Sequence, residues 1–163
     1  RIDTTRFKIL RGGLNYTTSL TGNWLVGASG QWQYSPDVLI AGEQFGLGGL
    51  GSVRGTRIER PISGDKGLSA TVEVNTPEVT AGLRLLGFVD AGWLGNNTPN
   101  GGAKPASDHL ASAGLGLRYS SGPFSLAADY GRVVRGSRMA PAFNSASPQQ
   151  GDDRFYLNLS LRF

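Results

Sequence analysis

The strongest constraint in this sequence is a two-residue hydrophobic period that recurs along the chain. The last nine residues, FYLNLSLRF, show it most clearly, because every second residue is apolar. Successive side chains of a β-strand point to opposite faces, so this period indicates strands with one apolar face. No window of similar quality shows the 3.6-residue period of an amphipathic helix. The sequence therefore predicts an all-β, antiparallel protein with strands in segments 6–19, 24–34, 68–76, 83–93, 110–119, 123–132 and 155–163.

The composition of the two strand faces favours a membrane protein. The face opposite the apolar residues consists mostly of Gly, Ser, Asn and Gln, and charged residues are only 17% of the chain. No run reaches the roughly 18 apolar residues of a transmembrane helix. A transmembrane β-barrel has this profile, because only alternate residues of each strand face lipid. A soluble antiparallel sandwich also alternates and is the alternative fold.

The connections between the predicted strands alternate between short turns and long loops. Outer-membrane barrels show this asymmetry, with short periplasmic turns and long extracellular loops. Oriented in this way, the strands place aromatic side chains at both ends, as expected for two membrane interfaces. The short connections are 20–23, 75–82 and 120–123, and the long ones are 35–66, 95–108 and 135–152.

Seven is an odd number of strands, whereas closed bacterial barrels normally have an even number. Unpaired strand edges inside lipid would cost several kcal/mol for each unsatisfied backbone group. We therefore expect residues 1–163 to be part of a larger barrel domain that lacks its N-terminal strands, with no second domain. On its own, this fragment is expected to need detergent or to self-associate through its open edges.

A glycine-dense stretch, FGLGGLGSVRG at 45–55, contains the pattern G-x-G-x-x-G. A dinucleotide site would require an apolar strand before this pattern and a helix after it, and neither is indicated. The alternative is a loop that folds back into the barrel, where Arg54 would be buried and would need a carboxylate partner. Asp90 and Glu73 lie on the predicted inward faces of neighbouring strands. The residues alone are equally compatible with a solvated Arg54.

The motifs around this loop resemble the TpsB branch of the BamA/TpsB superfamily of outer-membrane proteins. GGLGSVRGT, GDKG, EVNTPE and GFVDAG occur in the order and spacing of that family's signature loop and following strands. The resemblance implies about seven strands of a 16-stranded barrel, preceded by POTRA domains and a plug helix, with 35–66 as the inward-folding sixth extracellular loop. It also implies a functional Val53-Arg54-Gly55 motif, with Arg54 paired to Asp90. The family usually has an aromatic residue where this chain has Thr56, which leaves a stacking role there without support.

The same resemblance implies two-partner secretion across the outer membrane of a Gram-negative bacterium. The partners would be a secreted TpsA-type exoprotein, outer-membrane lipid or lipopolysaccharide, and the barrel-assembly machinery, for which Phe163 resembles the C-terminal assembly signal. The alternatives are an insertase of the same superfamily, a generic porin and a soluble sandwich that acts as a binding module.

Other functions find little support in the residues. The net charge of +4 comes from scattered cations rather than a basic run, so nucleic-acid binding is not expected. The absence of cysteine excludes thiolate metal sites, and the single histidine, His109, is expected to be a surface residue. Asp152 and Asp153 lack the spacing of a calcium loop. We expect no enzyme activity, no cofactor and no metal in this part of the protein.

Overall fold

Seven antiparallel strands form one sheet in a computed structural model, which describes residues 6–49, 51–56, 61–101, 103–139 and 147–163. In chain order the strands are β1 (Leu10–Leu20), β2 (Trp24–Tyr34), β3 (Phe45–Leu47), β4 (Ile62–Gly64), β5 (Lys66–Asn75), β6 (Leu83–Gly95), β7 (Ser107–Ser121), β8 (Phe124–Arg135) and β9 (Asp153–Leu161). The large sheet has the order β1-β2-β5-β6-β7-β8-β9, and β3 pairs with β4 separately. Short 3₁₀ turns occur at Thr21–Asn23 and Ala41–Glu43.

All seven strands predicted from the alternation are present, so the all-β antiparallel prediction is confirmed. Their bounds differ most where the apolar pattern is weak. β1 begins at Leu10, which pairs with Tyr34, and not at residue 6. β6 and β7 extend past the alternating segments because their pairing continues to Gly95 and Ser107. Backbone pairing, rather than side-chain pattern, determines these ends.

The predicted loop 35–66 contains structure that the sequence pattern did not reveal. We call residues 35–65 the inner loop, because Lys66 already belongs to β5. Phe45–Leu47 and Ile62–Gly64 form the small β3–β4 sheet inside it, with Leu47 opposite Ile62. Strands of three residues are too short to produce a recognisable period. Residues 50 and 57–60 of this loop, and 140–146 of the loop after β8, lie outside the described residues.

The two faces of the large sheet have opposite environments. The inner face carries the inner loop, and the apolar core lies between the loop and this face. The outer face carries the alternating apolar side chains, which are exposed; Leu115 and Leu157 are 70% and 63% accessible. A soluble sandwich would bury that face against a second sheet, so the sandwich alternative does not fit. The main core cluster is Phe45, Leu47, Val53, Ile62, Leu94 and Leu110.

Aromatic side chains lie at both ends of the strands. Trp24 begins β2, and Trp32 and Tyr34 end it. Tyr119 and Phe124 flank the β7–β8 turn, with ring centroids 6.2 Å apart in an edge-on arrangement. Within the described ranges, no helix is long and apolar enough to cross a bilayer.

Candidate functional site

The inner loop approaches the sheet closely because glycine lines part of the inner face. A Cβ atom built on Gly92 of β6 would lie 2.6 Å from the Leu47 side chain, a distance that real atoms do not adopt. Leu47 is fully buried at this contact. A glycine-containing inner face therefore allows the β3–β4 sheet, and with it the inner loop, to pack directly on the strands.

The loop tip, which we define as residues 53–56, places Arg54 against two carboxylates. Arg54 is only 4% accessible and Asp90 is fully buried. The Arg54 guanidinium donates to Asp90 through Nε at 2.8 Å and Nη2 at 2.9 Å. Its Nη1 donates to Glu73 Oε1 at 2.7 Å, and its backbone N–H donates to Asp90 Oδ2 at 3.0 Å. The structure thus brings together Arg54, Asp90 and Glu73, and both carboxylates contact the guanidinium.

An aromatic ring completes the arginine site. The Arg54 Cζ atom lies 3.4 Å from the centroid of the Phe88 ring, a cation–π arrangement. Phe88 is on β6, two residues before Asp90, so both side chains point to the inner face. Sequence reasoning placed Phe88 on the polar face but gave it no role. The available signal was an aromatic residue that interrupts an otherwise polar face.

Arg54 remains charged in this environment. Burial lowers the pKa of Arg54, but the hydrogen bonds and charges of Asp90 and Glu73 outweigh burial and raise its pKa above the ordinary value. A buried charged pair contributes little net stability, whereas removal of one partner is costly because the other charge is left uncompensated. The arginine site therefore specifies the position of the loop tip more than it stabilises the whole fold.

The other residues of the tip are also fixed. Gly55 has φ +96°, and a Cβ atom there would lie 2.9 Å from the Gly131 carbonyl oxygen of β8. Val53 is fully buried. Thr56, which departs from the family's aromatic pattern, accepts from the Gly49 N–H and donates to the Val53 carbonyl, both at 2.8 Å. The Thr56 hydroxyl thus closes the tip on itself instead of stacking.

Two further buried aspartates hold the long loops, and sequence reasoning gave neither a role. Asp65 is fully buried and accepts from the backbone N–H groups of Leu39 and Asn97, both at 2.8 Å. Asp108 is 1% accessible and accepts from the Ser137 hydroxyl and from the Arg138 N–H. Both aspartates lie where a long loop meets a strand, and Asp65 is also the aspartate of the GDKG motif, so the sequence offered a signal for each.

An open cavity of about 750 Å³ lies beside the loop tip. Arg54, Glu73 and Tyr156 line it, together with the ion pair of Arg118 and Asp129, whose Nη1–Oδ1 distance is 3.0 Å. Among the described residues, no three His, Asp or Glu side chains converge as a metal site would require. The charged side chains of this lining can bind through charge and hydrogen bonds.

Phe163 lies just beyond β9 and is completely exposed. His109 is half-buried on β7, opposite Trp93 of β6. The role of Phe163 as an assembly signal stays a prediction.

Comparison with known proteins identifies the family. The model of the haemolysin secretion/activation proteins ShlB/FhaC/HecB matches residues 2–119. The chain belongs to this family. The predicted resemblance to TpsB transporters is thereby confirmed. The residues matched by the ShlB/FhaC/HecB model include the loop tip, Glu73 and Asp90, but not β8 and β9.

Solved structures agree with the family and with the fold. CdiB from Acinetobacter baumannii is 26% identical with a TM-score of 0.77, over 96% of this chain and 27% of that chain. CdiB from Escherichia coli is 24% identical with a TM-score of 0.78, over 96% of this chain and 28% of that chain, and it bears on the fold alone. No curated protein matches the sequence. This member of the ShlB/FhaC/HecB family therefore spans little more than a quarter of those structures, and its sheet matches part of their β-barrel.

Proposed function

We propose that this chain is a barrel portion of a two-partner secretion transporter, which exports an unfolded partner exoprotein across the outer membrane of a Gram-negative bacterium. The observation that carries this proposal is the match of residues 2–119 to the haemolysin secretion/activation family. The proposed activity is translocation, not a chemical reaction, and it needs no cofactor. The partner would be a TpsA-type exoprotein.

The two faces of the sheet support this function. The outer face presents leucine, valine and aromatic side chains that are exposed in the structure, and a bilayer would cover them. Around the cavity beside the loop tip, the inner face carries charged and hydroxyl side chains, which include Glu73, Asp129 and Tyr156. From this division we infer that the outer face contacts outer-membrane lipid or lipopolysaccharide. A polar, unfolded chain would pass along the inner face.

The loop tip lies across the inner face, where a translocating chain would pass. Arg54 holds it there through Asp90 and Glu73, and these contacts are polar. Polar contacts can be exchanged for contacts with water or with a passing polypeptide at modest net cost. We infer that Val53, Arg54 and Gly55 form a movable constriction, and that Asp90 and Glu73 set its closed position.

The test is secretion of the cognate exoprotein by the complete transporter that carries Arg54→Ala or Asp90→Ala. We expect both variants to lose most secretion at normal barrel levels, because Arg54→Ala leaves the buried Asp90 unpaired and Asp90→Ala leaves Arg54 with Glu73 alone. Arg135→Ala is the matched control, since Arg135 is an exposed arginine at the end of β8. Normal secretion by both site variants, at normal barrel levels, would contradict the proposed role.

An insertase of the same superfamily is the second candidate. An insertase would act on client barrels. The barrel-assembly machinery would recognise Phe163 only during assembly of the insertase itself. The two functions differ in a simple measurement, because loss of an insertase lowers the levels of other outer-membrane proteins. The family match favours secretion, and we expect those levels to be unchanged.

A further inference from the structure

Tyr156 connects the loop tip to the last strand. Its side chain lies on the inner face of β9, between the exposed Phe155 and Leu157 of the outer face. The hydroxyl accepts from the Gly55 N–H at 2.9 Å and donates to the Thr56 carbonyl at 3.1 Å. A single hydroxyl thus satisfies two backbone groups of a loop that is about 100 residues away in the sequence.

The strand that carries Tyr156 stands at one end of the seven-strand order. Its backbone pairs with β8, from Phe124 opposite Leu161 to Arg132 opposite Asp153. The hydrogen bonds of Tyr156 give β9 a second kind of attachment, which joins its side chain to the inner loop and not to the sheet.

The loop tip contacts strands from the middle of the sheet to its edge. Arg54 bonds to Glu73 on β5 and to Asp90 on β6. The backbone at Arg54 and Gly55 presses on Gly131 of β8, where an added Cβ atom would lie 3.0 Å from Arg54 Cβ. Tyr156 of β9 completes the series. A displacement of the tip would loosen contacts on all four strands together.

We propose that Tyr156 is a positioning residue that couples the docked state of the loop tip to the position of β9. When the tip is docked, β9 is held at its inner face; when Arg54 releases, β9 loses this second attachment. The proposal rests on the proposed secretion function only for its consequence, namely that opening of the path and loosening of β9 occur together. The coupling itself follows from the contacts.

The test is hydrogen–deuterium exchange on the complete protein in lipid bilayers, for the variant Tyr156→Phe. The phenyl ring keeps the packing and removes the hydroxyl. We expect the Gly55 amide and the protected amides of β9 to exchange about fivefold faster, the effect of one net hydrogen bond. Tyr130→Phe is the control, because Tyr130 on β8 donates to Asp153 on β9 at 2.7 Å but does not touch the loop. It should leave the Gly55 amide unchanged.

A double-mutant comparison separates coupling from a local packing role. Arg54→Ala should accelerate exchange in β9 when Tyr156 is present and add little in the Tyr156→Phe background. Equal acceleration of β9 in both backgrounds, or none in either, would overturn the proposal. If Tyr156→Phe assembles poorly, Gly131→Ala displaces the tip from the β8 side, and unchanged exchange in β9 would then count against coupling. Secretion is measured separately, so loss of secretion without faster exchange contradicts the coupling and leaves the transport function intact.

Discussion

Replacement of Asp90 by asparagine tests how firmly the loop tip is docked. Asp90 accepts three hydrogen bonds from Arg54, two from the guanidinium and one from the backbone N–H. Asparagine is neutral and keeps one acceptor oxygen, so all three bonds lose their charged acceptor and at least one is lost altogether. Hydrogen bonds to charged groups contribute about 1.5–3 kcal/mol each, which gives a loss of about 3 kcal/mol or more. We use the lower value of this loss, about 3 kcal/mol, because Glu73 still accepts a hydrogen bond from Nη1 of Arg54.

A buried reporter measures this loss directly. Val53 is fully buried beside Arg54, and the chain contains no cysteine, so Val53→Cys introduces one thiol that reacts only when the tip opens. If opening is fast relative to labelling, the labelling rate follows the open fraction. A loss of about 3 kcal/mol then accelerates labelling roughly a hundredfold. Asp152→Asn, the same change at an exposed loop aspartate, is the control. Acceleration of less than about threefold, or an equal effect of the control, would refute the reasoning.

Two further changes test the loop backbone and the outer face. Gly55→Ala should destabilise the docked tip by about 2 kcal/mol or more. The reasons are that φ +96° is unfavourable for alanine and that its Cβ would meet the Gly131 carbonyl. Gly51→Ala is the control, because its Cβ meets no atom within 4 Å, and similar labelling of the Val53→Cys thiol in both variants would contradict this. Leu157→Arg on the lipid side of β9 should lower the free energy of unfolding in bilayers by about 2–4 kcal/mol, measured by denaturant unfolding. The neighbouring inner-face change Asn158→Arg should lower it much less. Equal losses of stability in the two variants would contradict the assigned faces.

Side-chain alternation carried most of the information about the fold. It specified seven strands and also the face on which each residue lies, because the strand period has only two phases. Asp90 and Glu73 were assigned to the inner face for that reason, and both contact Arg54 in the structure. The β3–β4 sheet was missed because its strands are shorter than any detectable period.

Contacts between distant residues could not be derived in the same way. The hydroxyl of Tyr156 bonds to Gly55 and Thr56 across about 100 residues, and no spacing rule relates these positions. Alternation did place Tyr156 and Phe88 on polar faces, where an aromatic side chain is unusual. Such interruptions mark positions where something apolar or cationic packs against the inner face, but they do not identify the partner.

The three fully buried aspartates hold the loops by different means, and the difference explains why the tip is the part suited to move. Asp65 and Asp108 bind backbone N–H groups of loop residues, and among the described residues neither forms an ion pair with an Arg or Lys side chain. Asp90 instead takes two of its three hydrogen bonds from the side chain of Arg54. Release of a backbone N–H requires the loop itself to deform. Release of Arg54 depends mainly on rotation of a long side chain whose second partner, Glu73, is 30% accessible and borders the cavity. We therefore expect the loop ends to stay anchored when the tip leaves the sheet.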